Sequence, residues 1–143
     1  MNNKNLNILI VEDDIIDATN IKQVLEMSDN TKNVYVAPNG LEALKMLRPT
    51  DGKLPLIAPY RRLIVLDINL PTMNGIEFLQ HLRSEPQLNS IPVVVLTGAS
   101  SDRYVLEAYQ LNVAGYIVKP VNFNSFIEAL TTLSKYWVQC EMA

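Results

Sequence analysis

The chain has 143 residues, of which 48% are hydrophobic and 19% charged, and its formal net charge of −3 is ordinary for one globular domain. The densest basic cluster is only Arg61-Arg62, which argues against binding of DNA or RNA. The sequence has no signal region and no apolar run of roughly 20 residues, and the single Cys140 has no partner for an intrachain disulfide, so we expect a cytoplasmic protein without membrane contacts.

Five short apolar runs alternate along the chain with five amphipathic segments. The runs are rich in β-branched residues and nearly continuous, which is typical of parallel strands covered on both faces. The segments between them carry apolar residues at helical spacing, among them Ile15, Leu106 and Phe123. In chain order, strands are predicted at 8–11, 34–37, 63–66, 93–96 and 116–118, and helices at 14–27, 40–48, 75–84, 102–111 and 122–138.

This alternation predicts an α/β fold of the (βα)5 type, with a doubly wound parallel sheet and right-handed crossovers. We expect the flavodoxin-like strand order 2-1-3-4-5 in a single domain over residues 1–143, with its core at about 6–138 and no output domain. A loop punctuated by Pro and Gly, residues 48–61, interrupts the rhythm before the third strand. It is either a partner contact or a neutral insertion, and we favour the insertion because surface loops tolerate insertions well.

Polar side chains stand at the ends of four predicted strands. The first strand is followed by Glu12 to Asp14, the third by Asp67 and the fifth by Lys119, and the fourth ends at Thr97. In sheets of this type ligands bind beyond the carboxyl ends of the strands, so the strand order brings these groups to one pocket. Two carboxylates about 4 Å apart repel by roughly 4 kcal/mol at an effective dielectric near 20, and a hard cation such as Mg²⁺ removes that repulsion.

The same pocket suits phosphoryl transfer. A carboxylate can act as a nucleophile and form an acyl phosphate, and Asp67 is well placed for this role. Lys119 and the Thr97 hydroxyl can bind the phosphoryl oxygens over which negative charge spreads. Each residue alone has a simple structural explanation, since an acid after a strand often caps the next helix, as we expect of Asp14. Only the complete set indicates this chemistry.

Four stretches resemble the receiver domain of two-component response regulators, the CheY-like superfamily. They are residues 8–14, 66–75, 92–97 and 115–120, so the resemblance covers nearly the whole chain. The resemblance implies that Asp67 accepts a phosphoryl group from a sensor histidine kinase. It also implies a signalling domain that is not an enzyme apart from its own phosphorylation and autodephosphorylation.

The resemblance further implies a metal site and a set of phosphoryl contacts. The metal is Mg²⁺, with Mn²⁺ as a substitute. Thr97 and Lys119 match the phosphoryl-binding hydroxyl and amine of the family. The expected metal ligands are three carboxylates and one backbone carbonyl, those of Glu12, Asp13, Asp67 and Asn69 respectively.

A conformational switch is also implied. Tyr116 lies three residues before Lys119, where the family has an aromatic switch residue. Phosphorylation would draw the Thr97 hydroxyl inward, and Tyr116 would turn into the vacated space. The alternative for Tyr116 is an ordinary edge-strand aromatic. Pro120 matches the family's cis-proline, and Gly75 matches a glycine that lets the turn after the third strand close.

The expected partners are proteins. Without an output domain, the chain would signal to a downstream protein or to a phosphotransfer partner. The 48–61 loop, residues 112–117 and Tyr136-Trp137 resemble small regulators paired with bacterial and cyanobacterial phytochromes. This similarity implies a phytochrome as the kinase and a homodimer through the face made by the fourth helix, fifth strand and fifth helix. Trp137 is equally compatible with core packing and with an interface.

Three other functions fit the sequence less well. A magnesium-dependent phosphohydrolase of the haloacid dehalogenase class would need a second acid two residues after Asp67, where Asn69 cannot act as a general acid. A nucleotide-binding domain would have a Gly-rich loop after its first strand, and this sequence has no such loop there. A phosphorylation-independent interaction module would need a pocket defect that the sequence does not show. His81 and Cys140 each lack a companion at metal-ligand spacing.

Overall fold

The computed structural model describes residues 5–27, 32–70, 72–98, 102–119 and 122–143. Within these ranges five strands and five helices alternate, as predicted, and every bound lies within two residues of its predicted position. The strands are β1 (Leu6–Val11), β2 (Lys32–Ala37), β3 (Arg62–Leu66), β4 (Val93–Thr97) and β5 (Gly115–Val118). The helices are α1 (Ile15–Glu26), α2 (Gly40–Leu47), α3 (Gly75–Ser84), α4 (Asp102–Gln110) and α5 (Phe123–Gln139).

The strands form one parallel sheet in the order β2-β1-β3-β4-β5, so the predicted flavodoxin-like order is confirmed. Val11 at the end of β1 lies opposite Leu66 at the end of β3. Because these two strands end at the same level, the residues that follow them, Glu12 and Asp67, emerge side by side at the carboxyl edge of the sheet.

Helices cover both faces of the sheet, and burial follows from this. Apolar residues of α1 and α5 pack on one face, and those of α2, α3 and α4 pack on the other. The three inner strands β1, β3 and β4 are buried at every position. The expectation of continuous burial is wrong for β2 and β5, where Val36 and Val118 are exposed. An edge strand has a neighbour on one side only, which leaves part of its surface open.

Among the apolar residues at helical spacing, Ile15, Leu106 and Phe123 are exposed rather than packed on the core. Ile15 and Phe123 begin α1 and α5, beyond the carboxyl ends of the strands, so no sheet lies beneath them. In α4 only Ala108 is fully buried. Helical spacing therefore predicts the helix correctly but does not say which turns have a sheet to pack against.

The 48–61 loop packs onto the domain. Ile57 is completely buried in the core beneath α2 and α3, and its N–H donates to the Met46 carbonyl at 3.1 Å. The buried guanidinium of Arg62 donates to the carbonyls of Leu47 at 2.9 Å and of Ile57 at 2.7 Å. This packing fixes the entry into β3, while the proposed roles as partner contact or neutral insertion stay predictions.

Trp137 near the end of α5 is half-buried. It packs against the core cluster formed by residues of β1, β3, β4, α1 and α5 and makes an edge-to-face contact with Tyr136, with ring centroids 5.3 Å apart. Core packing therefore explains why part of the Trp137 side chain is buried. None of the helices in the described ranges has the length and apolar character needed to cross a bilayer.

Candidate functional site

The backbone carries the predicted polar residues to one edge of the sheet. The Asp67 N–H donates to the Val11 carbonyl at 3.0 Å, and the Lys119 N–H donates to the Thr97 carbonyl at 2.8 Å. These bonds continue the strand ladders by one residue beyond their ends. The side chains that meet there are those of Glu12, Asp13, Asp67, Thr97 and Lys119.

Three carboxylates crowd together in this pocket. One oxygen each of Glu12, Asp13 and Asp67 lies within 4.8 Å of the others, and Glu12 is only 4% exposed. Burial and the charge of Asp67 raise the pKa of Glu12 to about 7, although Lys119 opposes the shift. A set of close carboxylate oxygens with one disfavoured charge fits a hard divalent cation, which removes the repulsion among them.

Thr97 and Asn69 hold one oxygen of Asp67. The Thr97 side chain is fully buried, and its hydroxyl donates to Asp67 Oδ1 at 2.6 Å. The backbone N–H of Asn69 donates to the same oxygen at 3.0 Å. Asp67 Oδ2 makes neither of these bonds and faces Lys119, whose Nζ is 3.9 Å away. The carboxylate is therefore held in one orientation, with Oδ2 toward the ammonium.

Lys119 is shared between two carboxylates. Its Nζ donates to Glu12 Oε1 at 3.0 Å and to Asp17 Oδ2 at 2.9 Å. Burial lowers the pKa of Lys119, but the hydrogen bonds and charges of Asp17 and Glu12 outweigh burial and raise it above its ordinary value. The sequence prediction missed Asp17. The available signal was its position in the first turn of α1, three residues after the Asp14 cap.

Asp14 is the predicted helix cap. Its Oδ1 accepts from the N–H groups of Ile16 at 2.9 Å and Asp17 at 3.1 Å, which satisfies two of the free donors at the start of α1. Its own N–H donates to Glu12 Oε2 at 3.2 Å. The cap therefore sets the turn from which Glu12 and Asp17 both reach Lys119.

Tyr116 stands next to the pocket. It is half-buried on β5 and packs against the core. Burial raises its pKa, and the negative charge of Asp67 and the nearby Tyr104 raise it further. The charge of Asp67 thus acts on the Tyr116 hydroxyl, while the role of Tyr116 as a switch stays a prediction.

Gly75 fits its predicted role in the turn after β3, because a Cβ at this position would lie 2.6 Å from the Cα of Ile68. The metal-binding carbonyl assigned to Asn69 stays a prediction. The cis-proline assigned to Pro120 lies outside the described residues. His81 is exposed on α3, and the Cys140 thiol donates to the Tyr136 carbonyl at 3.3 Å.

Comparison with known proteins gives one consistent family. Residues 8–131 match the response regulator receiver domain. The response regulator Rcp1 of Synechocystis sp. is 32% identical over 132 residues, covering 92% of this chain and 88% of Rcp1. The chemotaxis protein CheY-3 of Vibrio cholerae is 35% identical over 129 residues, covering 90% of this chain and 91% of CheY-3.

Solved structures agree with this assignment. The Mn²⁺-bound form of Rcp1 has a TM-score of 0.81 at 29% identity, covering 95% of this chain and 96% of that one. The phosphorylated cyanobacterial phytochrome response regulator RcpA has a TM-score of 0.84 at 29% identity, covering 96% and 98% of the two chains. These relatives favour a receiver over the phosphohydrolase alternative. The chain therefore belongs to the response regulator receiver domain family and is a response regulator of the two-component type.

Proposed function

We propose that Asp67 is the phosphoacceptor of this response regulator. The observation that carries the proposal is the placement of Asp67 between the Thr97 hydroxyl and the Lys119 ammonium, beside two further carboxylates. Because Oδ1 already accepts two hydrogen bonds, Oδ2 is the oxygen that attacks phosphorus. The new oxygen–phosphorus bond forms as the phosphorus–nitrogen bond of a phosphohistidine donor breaks, and the imidazole leaves.

The metal in this proposal is Mg²⁺, which Mn²⁺ can replace. Its ligands would be the carboxylates of Glu12, Asp13 and Asp67 and the backbone carbonyl of Asn69. When bound, the ion supplies positive charge that offsets the negative charge of the phosphoryl group and of the acids. The Mn²⁺-bound form of the relative Rcp1 supports a divalent ion at the matching acids. The selectivity for Mg²⁺ is the part that a binding titration must test.

Two further residues bind the phosphoryl oxygens. Lys119 offers an ammonium that is already deep in the pocket, and Thr97 offers a hydroxyl at the end of β4. In the proposed switch, the Thr97 hydroxyl moves from Asp67 to a phosphoryl oxygen, and Tyr116 then turns inward. The half-buried position of Tyr116 and the influence of Asp67 on its pKa support this coupling.

The output of the switch is a protein surface. Several large apolar side chains are exposed on α4, β5 and α5, and this face is proposed to bind a downstream protein, a phosphotransfer partner or a second copy of the chain in a homodimer. They are Leu106, Tyr109, Val118, Phe123 and Tyr136.

The kinase is proposed to be a sensor histidine kinase of the phytochrome class. Similarity to RcpA, whose structure is that of a phytochrome response regulator, supports this class. We also propose that this receiver domain acts in the cytoplasm and catalyses only its own phosphorylation and dephosphorylation. Its formal net charge of −3 supports protein partners over nucleic acid.

Intact-protein mass spectrometry tests the proposal. The wild type, incubated with acetyl phosphate and Mg²⁺, is expected to gain about 80 Da, the mass of one phosphoryl group, and EDTA is expected to prevent the gain. D67N is expected to gain nothing. The matched control is E26Q, which removes a negative charge at the far end of α1, where Glu26 pairs with Lys22, and it should be labelled like the wild type. Equal labelling of D67N and wild type would overturn the assignment of Asp67.

A further inference from the structure

Asp17 holds the ammonium of Lys119 on the α1 side of the pocket. Nζ is 2.9 Å from Asp17 Oδ2 and 3.0 Å from Glu12 Oε1, both hydrogen-bond distances. The distance from Nζ to Asp67 Oδ2 is 3.9 Å, which is too long for a hydrogen bond. The ammonium is therefore bound by two acids other than the proposed phosphoacceptor.

The two acids differ in what a cation would do to them. Glu12 belongs to the carboxylate cluster with Asp13 and Asp67, whereas Asp17 does not. A cation held by the cluster would offset the charge of Glu12 and weaken its hold on Lys119. The same cation would not offset the charge of Asp17, which lies outside the cluster. The Asp17 side chain is 43% exposed and is therefore partly solvated by water. Asp17 is thus the acid that continues to bind Lys119.

The position of Asp17 is set by its helix. It lies in the first turn of α1, and its N–H is bound by the Asp14 cap at 3.1 Å. Lys119 reaches it from the end of β5 across the carboxyl edge of the sheet, over a sequence separation of 102 residues. The contact therefore joins the first turn of α1 to the residue that follows β5.

We propose that Asp17 is a positioning residue that competes with the phosphoryl group for Lys119. This inference rests on the proposed function of Asp67. A phosphoryl oxygen on Asp67 would attract the same ammonium, and a carboxylate at 2.9 Å offsets part of the positive charge that the oxygen would use. Asp17 therefore lowers the affinity of the pocket for the phosphoryl group and favours its loss.

The size of the effect follows from the exposure of the pair. Partly exposed ion pairs change an equilibrium by about two- to fivefold. The sign is informative, because damage to the pocket can only weaken anion binding, whereas removal of a competitor strengthens it. A gain of affinity on loss of Asp17 thus distinguishes competition from a merely structural role.

The test uses the full chain with Mg²⁺ and beryllium fluoride, an anionic mimic of the phosphoryl group, in calorimetric titrations. D17N is expected to bind the mimic about two- to fivefold more tightly than the wild type. D17E, which restores a carboxylate, should return the affinity toward that of the wild type. E26Q is the matched control, because it removes a negative charge from the far end of the same helix, where Glu26 pairs with Lys22, and it should bind like the wild type.

Three results would overturn the inference. D17N could bind the mimic no more tightly than the wild type, E26Q could match the gain of D17N, or D17E could keep the gain. If the wild type binds the mimic but D17N shows no gain in affinity, only the proposed role of Asp17 is contradicted. If the wild type does not bind the mimic at all, the proposed function of Asp67 is contradicted as well.

Discussion

Replacing Glu12 by Gln is expected to stabilise the metal-free protein at neutral and alkaline pH. Burial and the charge of Asp67 raise the pKa of Glu12 from 4.5 to about 7 in the folded state. The unfolded chain releases this proton near the ordinary value. Between these two pH values the folded state binds more protons than the unfolded state, so the stability of the wild type falls as pH rises through this window. Gln carries no charge and avoids this loss.

The magnitude follows from the two pKa values. The difference between 4.5 and about 7 corresponds to about 3 kcal/mol, at roughly 1.4 kcal/mol for each pKa unit. We therefore expect E12Q to be more stable than the wild type by about 2 to 3 kcal/mol at pH 8. At pH 5, where the folded wild type keeps Glu12 protonated, less than about 1 kcal/mol of this gain should remain.

Urea unfolding followed by circular dichroism, in EDTA at pH 5 and pH 8, measures this difference. E128Q is the matched control, since Glu128 is exposed on α5 and its replacement should change the free energy of unfolding by less than about 0.5 kcal/mol. Saturating Mg²⁺ should stabilise the wild type and reduce the advantage of E12Q, because a bound cation removes the same repulsion. A gain that is absent at pH 8, or equal at pH 5 and pH 8, would refute the reasoning.

Two further predictions concern packing. G75A is expected to lose about 1 to 3 kcal/mol of stability, because its Cβ would lie 2.6 Å from the Cα of Ile68. The control G98A should be nearly neutral, since a Cβ on Gly98 meets no heavy atom within 4 Å. Equal thermal unfolding midpoints for the two variants would contradict the close approach at Gly75. I57A is expected to lose about 2 to 5 kcal/mol of stability, since Ile57 is fully buried. The control L56A should lose little stability, because Leu56 is 67% exposed. Urea titrations that show no difference between the two variants would mean that the 48–61 loop does not pack as described.

The strand order and the pocket could be predicted because both follow from rules of topology. Alternating strands and helices lead to a parallel sheet, and the strand order 2-1-3-4-5 then brings the ends of β1 and β3 together. Residues that directly follow a strand, such as Glu12, Asp67 and Lys119, inherit their positions from that strand. Their convergence needs no knowledge of side-chain conformations.

Features that depend on how far a side chain reaches could not be predicted in this way. Asp17 lies on a helix, and its contact with Lys119 depends on the rotation of α1 set by its cap. The exposure of Ile15 depends on how far α1 projects past the sheet. Burial of Ile57 within an irregular loop follows no periodic pattern. Each of these requires the three-dimensional arrangement of elements that are distant in sequence.

The central claim is that the crowded acids at the carboxyl edge of the sheet make residue 67 the one that takes a phosphoryl group. The most direct measurement locates that group. Wild-type protein treated with acetyl phosphate and Mg²⁺ is reduced with borohydride, which converts an aspartyl phosphate to homoserine, and its peptides are sequenced by mass spectrometry. We predict homoserine at the position of Asp67 in samples with Mg²⁺ and none in samples with EDTA. Homoserine at another acid, or at Asp67 to the same extent with EDTA, would contradict the account.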